Sequence, residues 1–273
     1  MTYQEIRKNE EVLAYIRKGN ADLGVLGFTD HSEAHTALVA ERAAYILDKF
    51  GYSEHDKELV KIAGFMHDIG NVINRKNHAE YGGILANDIL KNTDMTLEDR
   101  VTIISAISNH DESTGGAKDA ISAALIIADK TDVRRNRVRT VDKAKFDIHD
   151  RVNYAVTDTK LKINLEKKVI SLNLQIDESI CTMYEYFDIF LNRMIMCRGA
   201  AEILGAKFKL MANGRAEGNT DVLGGVVIID LDVALTADIQ VKVTVTSKKG
   251  KHVVQKAATC IAYRITLAIN VEG

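Results

Sequence analysis

The first half of this 273-residue sequence contains histidine and aspartate residues in an order that could hold metal ions. His67 and Asp68 are adjacent, and one such pair is expected by chance in a chain of this composition. The residues before and after the pair make the pattern specific. The six candidate metal ligands are His35, His67, Asp68, His78, His110 and Asp129.

Four imidazoles and two carboxylates suit divalent ions such as Fe, Mn, Ni or Zn better than calcium or magnesium alone. Two such ions about 3.5 to 4 Å apart can share a hydroxide, lower its pKa towards neutrality, and hold the attacking and leaving oxygens of a phosphate group. The ligand set therefore suits two divalent transition-metal ions as cofactors. Such a site needs no serine or cysteine nucleophile.

A helical domain over residues 1–152 is predicted to position these side chains. Apolar residues recur there at helical spacing, between capping and turn residues. His67 and Asp68 fall in the last turn of one predicted helix, and Asp30 with Glu33 is predicted to cap another. The predicted helices span residues 31–50, 56–69, 78–90, 97–110 and 120–133.

An extension over residues 153–213 has a different pattern. Apolar and polar residues alternate over 161–165 and again over 171–176, which predicts a β-hairpin. An amphipathic stretch over 178–204 predicts a long helix, and a further strand is predicted at 208–211. Glycine and asparagine residues then predict a linker.

Residues 214–273 are rich in Val, Ile and Thr and predict a C-terminal β segment with strands at 226–235, 239–246 and 261–271. About 60 residues give too small a core to be stable alone. We therefore expect the segment to pack on the body or on another copy, which would form a homo-oligomer. The predicted fold class is mainly α: an all-helical domain, a hairpin and long-helix extension, and a small C-terminal β segment.

The six candidate ligands occur in motifs that resemble those of the HD superfamily of metal-dependent phosphohydrolases. The similarity covers roughly residues 28–140, and all six positions match the two-metal subgroup pattern His, His-Asp, His, His, Asp. The region after residue 130, with the hairpin and long helix, resembles a small group of bacterial HD proteins without a settled substrate. The motifs are HTALVA (35–40), FMHDIG (65–70), HAEYGG (78–83), SNHD (108–111) and IADK (127–130).

The resemblance implies a division of the ligands between two metals and a phosphohydrolase activity. Asp68 would bridge the ions, and a metal-bridging hydroxide would hydrolyse a phosphate ester or anhydride in a nucleotide or other small phosphorylated molecule. One metal would be held by His35, His67, Asp68 and Asp129, and the other by His78, His110 and Asp68.

A basic segment begins next to the last candidate ligand and predicts an anion-binding surface. Lys130 lies beside Asp129, so we expect it to be catalytic together with Asp68. Arg134 is predicted one helical turn further on. A solvated charged face is the other interpretation of such a run. The candidate substrate-binding residues are Lys130, Arg134, Arg135 and Arg137.

Residues next to the motifs also have two interpretations each. His31 lies four positions before His35 and could support the metal site or only the helix end. Asp111 and Glu112 could orient an imidazole or a water molecule, or they could form an acidic loop.

Two other functions fit the same ligand set. Some HD proteins with these ligands are diiron oxygenases that cleave a C–C or C–P bond, and dependence of turnover on oxygen would identify one. A catalytically silent metal- or nucleotide-binding module is the third interpretation, and lack of activity on phosphate compounds would support it.

Composition limits the partners and the compartment. A net charge of −2 argues against general nucleic-acid binding. No stretch approaches the roughly 20 apolar residues of a membrane helix, and the N-terminus is polar. Three cysteines without a CxxC pair do not indicate a zinc knot. We therefore expect a cytoplasmic protein with no membrane partner. The partner that the resemblance implies is a small phosphorylated substrate.

Overall fold

The computed structural model describes residues 1–140, 146–213, 226–229, 239–247 and 250–258. These residues are mostly helical and include a mixed β-sheet, so the predicted mainly α class is confirmed. In chain order they form α1 (Tyr3–Ile6), α2 (Glu10–Val25), α3 (Glu33–Lys49), α4 (Glu54–Met66), a 3-10 turn (Ile69–Val72), α5 (His78–Leu90), α6 (Leu97–Ser108), α7 (Ala120–Lys130), a second 3-10 turn (Arg135–Arg137), α8 (Ile148–Ala155), β1 (Val156–Asn164), β2 (Val169–Ile176), α9 (Met183–Ile203), β3 (Lys207–Ala212), β4 (Val226–Ile229), β5 (Ile239–Ser247) and β6 (Gly250–Ala258).

The start of α3 differs from the predicted capping box. Ser32 is the N-cap residue, and its side chain makes no capping hydrogen bond. Asp30 instead accepts a hydrogen bond from the Ser32 hydroxyl at 2.6 Å. The carboxylate therefore orders the turn before the helix and does not cap it.

Two glycines allow the helices around the site to approach closely. A Cβ atom on Gly64, in α4, would lie 2.7 Å from the Cα atom of Ala40 in α3. A Cβ atom on Gly70 would collide with the carbonyl oxygen of His78 at the start of α5. Side chains at these two positions would push apart the segments that contain the candidate ligands.

Helix α7 is the central helix of the domain. Every residue from Ile121 to Ala128 is buried, as its nearly uniform apolar sequence predicts. The helix packs against α3 on one side and against α9 on another. It ends at Lys130, three residues earlier than predicted, with Thr131 as the C-cap residue.

The extension joins the helical domain through a shared hydrophobic core. Strands β1 and β2 form the predicted antiparallel hairpin, and β3 pairs with β2 in parallel after α9. The predicted boundary at residue 152 lies inside α8. Buried side chains of α7, α8, β2, α9 and β3 belong to one continuous core, so the extension forms one packed unit with the helices.

The described part of the C-terminal segment continues the same sheet, in the order β1-β2-β3-β4-β5-β6. Strand β4 pairs antiparallel with the outer edge of β3. The predicted strands at 226–235 and 239–246 correspond to β4 and β5, whereas β6 was not predicted. The predicted linker from 214 and the strand at 261–271 lie outside the described residues. Among the helices that the structure describes, none is long and apolar enough to cross a membrane.

Candidate metal centre

The structure brings together all six candidate ligands, from five separate segments. His35 lies on α3, His67 and Asp68 follow α4, and His78 begins α5. His110 follows α6, and Asp129 lies in the last turn of α7. The four histidines and Asp68 are buried, and the side chain of Asp129 is 12% exposed.

The two carboxylate oxygens of Asp68 face different histidine pairs. Its Oδ2 atom lies 3.2 Å from Nε2 of His67 and 3.7 Å from Nε2 of His35. Its Oδ1 atom lies 3.6 Å from Nε2 of His78 and 4.0 Å from Nε2 of His110. Asp68 is therefore placed as a carboxylate that bridges two metals would be.

Asp129 approaches only one of these histidine pairs closely. Its Oδ1 atom lies 3.4 Å from Nε2 of His35 and 3.7 Å from Nε2 of His67. One group of atoms compact enough for an ion combines both of these histidines with Asp129, whereas a second combines His67, Asp68 and His110. Interatomic distances alone therefore leave His67 between the two positions, and the direction of the Asp68 oxygens favours the division that the resemblance implies.

The Nδ1 atom of each candidate imidazole lies within hydrogen-bond distance of an oxygen atom. A carbonyl or carboxylate oxygen can only accept, so each Nδ1 carries the hydrogen and each Nε2 can present a lone pair to a metal. The Nδ1 contacts are His35 to Asp132 Oδ2 at 2.7 Å, His67 to Gly64 O at 2.8 Å, His78 to Arg75 O at 3.1 Å and His110 to Ile107 O at 2.6 Å.

The inward-facing atoms fit a divalent metal site. The Nε2 atoms of His35 and His67 and the Oδ2 atom of Asp68 are buried without a hydrogen-bond partner. Unpartnered buried polar atoms are costly, and coordination to a metal would satisfy all three. Imidazole nitrogens with carboxylate oxygens are the donors that Zn, Fe, Ni or Mn accepts.

The protonation states also favour cation binding. Burial opposes ionisation of Asp68, but the neighbouring His67 and His31 hold its pKa well below the usual range. Burial lowers the pKa of His110 to about 3, helped by the charge of His67. Burial alone would lower the pKa of His67, but the carboxylates of Asp68 and Asp129 raise it to about 10. In the absence of metal, a proton on His67 balances the carboxylates.

A pocket opens above the ligands and contains four cationic side chains, Arg75, Lys130, Arg137 and Arg193. The other lining residues are Thr29, His31, Asp68, His78, His110 and Asp129.

Lys130 is tied to the metal centre by two ion pairs. Its Nζ atom lies 2.9 Å from Oδ2 of Asp129 and 2.7 Å from Oε2 of Glu112. Burial favours the neutral amine, but these two carboxylates raise the pKa of Lys130, so the side chain stays charged. Lys130 therefore brings a fixed positive charge to the edge of the candidate metal centre.

Two arginines predicted to bind substrate point elsewhere. Because α7 ends at Lys130, Arg134 does not follow on the next helical turn, and its Nη2 atom contacts Oδ2 of Asp132 at 2.9 Å. Arg135 donates from Nε to the carbonyl oxygen of Tyr154 at 2.5 Å, and its guanidinium lies over the aromatic ring of Tyr154. Neither Arg134 nor Arg135 lines the pocket above the candidate ligands, so the structure gives no support to their predicted role in substrate binding.

Arg137, a predicted substrate-binding residue, lines the pocket, and its role in substrate binding stays a prediction. Its Nη1 atom also donates to the carbonyl oxygen of Asp132 at 2.9 Å, and Nη2 donates to that of Asp30 at 2.8 Å. These bonds fix the buried guanidinium beside the candidate ligands.

Asp132 was missed from the sequence although it contacts a candidate ligand. It accepts the hydrogen bond from Nδ1 of His35 at 2.7 Å. Burial opposes its ionisation, but the hydrogen bond from His35 and the charge of Arg137 lower its pKa. The sequence signal that could have identified Asp132 is its position three residues after the candidate ligand Asp129. A carboxylate behind a metal-binding imidazole orients the ring and makes it a stronger donor.

The residues with two interpretations are also placed. Glu112 accepts from Lys130 and from Arg193 and touches none of the imidazoles in the described contacts. Asp111 has an oxygen 3.8 Å from Nε2 of His78. His31 lines the pocket, and its Nδ1 contacts the Thr29 carbonyl oxygen at 2.7 Å. Arg75 and Arg193 had no sequence signal that linked them to the motifs.

Comparison with known proteins found a family model, a relative and a solved structure that are similar to parts of this chain. Residues 33–145 match the family model of the HD domain, so this part of the chain is similar to HD domains. An uncharacterized protein of Methanocaldococcus jannaschii is 27% identical over 193 residues, which are 62% of this chain and 74% of that protein. The crystal structure of a predicted HD superfamily hydrolase from an uncultured Thermotogales bacterium aligns with a TM-score of 0.38 and 22% identity, over 49% of this chain and 75% of the other.

Proposed function

We propose that this protein is a metal-dependent hydrolase of a phosphate ester or anhydride, in a nucleotide or another small phosphorylated molecule. The observation that carries the proposal is the placement of Asp68 between two histidine pairs, beneath a pocket lined by four cationic side chains. Carboxylate and imidazole donors suit the metals, and lysine and arginine suit the phosphate.

Two divalent transition-metal ions, from among Fe, Mn, Ni and Zn, would supply a nucleophilic hydroxide at neutral pH and withdraw charge from the phosphoryl group. In this proposal His35, His67 and Asp129 would hold one ion, His78 and His110 would hold the other, and Asp68 would contribute to both sites. The hydrogen bonds that the Nδ1 atoms donate would keep the rings oriented towards the ions.

The chain's own cations would bind the phosphoryl oxygens. Lys130 keeps its charge because Asp129 and Glu112 lie beside it, and Arg137 is fixed by two backbone carbonyl groups. Preorganised positive charge in a buried pocket stabilises the charge that develops during phosphoryl transfer. Lys130 is the side chain best placed to act on the reacting group, because it also contacts the candidate ligand Asp129.

The first test is metal analysis of protein purified anaerobically, followed by a panel of phosphate monoesters, diesters and anhydrides with each metal. We expect close to two ions per chain and metal-dependent release of phosphate. The panel is run with and without oxygen, because turnover that requires oxygen would identify an oxygenase. Metal-loaded protein that hydrolyses no compound on the panel would contradict the proposal.

The second test is Lys130→Ala. Loss of a charge-assisted contact should cost about 1.5 to 3 kcal/mol of transition-state stabilisation, seen as a lower kcat/KM with unchanged metal content. The control is Lys91→Ala, because Lys91 is an exposed residue that pairs with Asp88. Equal activity of the two variants would remove Lys130 from the site.

A cytoplasmic location and assembly through the β segment remain predictions.

A further inference from the structure

Arg193 brings the extension into the candidate site. It lies on α9, which packs against α7, and its side chain lines the pocket together with Asp68, His110 and Lys130. None of the HD motifs includes this residue. The site of the HD domain is therefore partly built by the element that follows it in the chain.

The guanidinium of Arg193 is anchored but keeps free donors. Its Nε atom donates to Oε1 of Glu112 at 3.0 Å, and the group lies over the ring of Phe190, 4.9 Å from its centroid. Within the described part of the chain, Nη1 and Nη2 have no hydrogen-bond acceptor. The side chain is 30% exposed, so these two groups can reach a ligand in the pocket.

Glu112 does not neutralise the cations around it. Its Oε1 atom contacts Arg193, and its Oε2 atom contacts Lys130 at 2.7 Å. One carboxylate is thus shared between two positive side chains. Lys130 also pairs with Asp129, but Asp129 is a candidate metal ligand, so Glu112 alone is left to balance the two cations.

The pocket as a whole also has a surplus of positive charge. Its lining contains four cations and two carboxylates, and the carboxylates are the candidate ligands Asp68 and Asp129. Glu112 pairs with Lys130 and Arg193, and Asp132 lies 3.7 Å from Arg137, so two of the four positive charges remain for a substrate. A phosphomonoester has a charge of about −1.5 to −2 at neutral pH and three terminal oxygens, whereas a diester has a single negative charge and two such oxygens.

We propose that Arg193 binds the phosphoryl group of the substrate and that this substrate is a phosphomonoester. The inference rests on the proposed hydrolase function and deepens it. The free Nη1 and Nη2 groups form the fork that arginine uses to bind two phosphate oxygens. The extension then determines which class of phosphate compound the HD domain accepts.

The test uses the metal-loaded full chain and two variants, Arg193→Ala and Arg193→Gln. Glutamine keeps a polar side chain that can donate to Glu112, so it serves if alanine disturbs folding. The control is Arg198→Ala, because Arg198 lies on the same helix and contacts Glu202 at 3.1 Å. Metal content and thermal unfolding are measured for every variant.

Two readouts are compared. Calorimetry measures binding of inorganic phosphate, and kinetics compare p-nitrophenyl phosphate with bis(p-nitrophenyl) phosphate, which share a leaving group. We expect wild type to prefer the monoester, and both Arg193 variants to lose on the order of tenfold to a hundredfold in phosphate affinity and monoester kcat/KM. The weak reaction with the diester should change much less.

Glu112→Gln separates phosphate binding from a positioning effect. If Arg193 acted only by holding Glu112 and Lys130, this variant would reproduce the Arg193→Ala loss. If Arg193 binds phosphate, removal of the shared carboxylate should leave phosphate affinity the same or higher. A loss of affinity equal to that of Arg193→Ala overturns the assignment of Arg193 to the substrate.

Other outcomes also decide the question. Arg193 variants that match Arg198→Ala in phosphate binding and monoester turnover overturn the inference and leave the proposed function standing. A wild-type preference for the diester overturns the substrate class. If no compound is hydrolysed, the proposed function fails, and phosphate affinity alone still determines whether Arg193 binds the anion.

Discussion

Asp68 has a different histidine pair next to each of its carboxylate oxygens, and this geometry leads to a prediction about metal content. We expect Asp68→Ala to remove both metals, because both coordination groups lose an oxygen donor. His78→Ala should leave the ion held by His35, His67 and Asp129, and so reduce the content from two ions to one. Elemental analysis after gel filtration measures both.

The matched control is His55→Ala, because the side chain of His55 is 63% exposed and pairs with Asp99 away from the pocket. It should keep the wild-type metal content. Two tightly bound ions in Asp68→Ala would contradict the bridging assignment. Loss of both ions in His78→Ala would contradict the division of the ligands.

His67 predicts how metal affinity depends on pH. Its raised pKa, about 10, means that the metal-free imidazole is protonated at neutral pH. A metal must displace that proton, so affinity should rise with pH by at least about tenfold per unit between about pH 6 and pH 9. Competition with a chelator of known affinity, repeated across this range, measures the slope. An affinity independent of pH would show that His67 is neutral before the metal binds.

Close packing of α3 against α4 is the element-scale feature on which the centre depends, because α3 contains His35 and His67 directly follows α4. We expect Gly64→Ala to destabilise the fold by about 1 to 3 kcal/mol, since the new methyl group meets the backbone of Ala40. Denaturant unfolding measures the loss. The displaced helices should also bind metal less tightly.

Gly199→Ala is the control for this change. Gly199 lies within α9, and an added Cβ atom would meet no atom of the described residues within 4 Å. Alanine is favoured over glycine in helices by about 1 kcal/mol, so this variant should be as stable as wild type or more stable. Unchanged stability in Gly64→Ala would mean that α3 and α4 can separate without cost.

At the scale of the whole molecule, the sheet connects the C-terminal segment to the extension. The residues of the candidate site all precede the C-terminal segment. We expect truncation after Asn213 to leave metal content and specific activity intact, because Arg193 and all six candidate ligands precede the cut. Metal analysis and a phosphatase assay of the 1–213 protein test this.

The same truncation should change stability or assembly. It removes β4, which pairs with β3 over Leu210 to Ala212, and so exposes a strand edge that can pair with another chain. Light scattering reports the mass in solution. A folded 1–213 protein that keeps its metals but has lost all turnover would instead place the C-terminal segment over the active site.

The sequence alone determined the features that depend on nearby residues. Helix α5 spans the predicted 78–90, and the β1–β2 hairpin and α9 lie close to their predicted positions. The spacing of apolar residues that distinguishes helices from strands depends only on residues close together in the sequence. The types and order of His35, His67, Asp68, His78, His110 and Asp129 also sufficed to predict that they meet in one centre. Local signals failed at α7, which ends at Lys130, and at β6.

Only the tertiary structure decided which charges surround that centre. Arg134 was predicted to bind substrate and instead pairs with Asp132, while Arg193 contacts Glu112 across 81 residues of chain. A charged side chain has the same sequence signal whether it meets solvent, a carboxylate or a pocket. Its position depends on how the helices pack, and here the packing of α9 against α7 places Arg193 in the pocket.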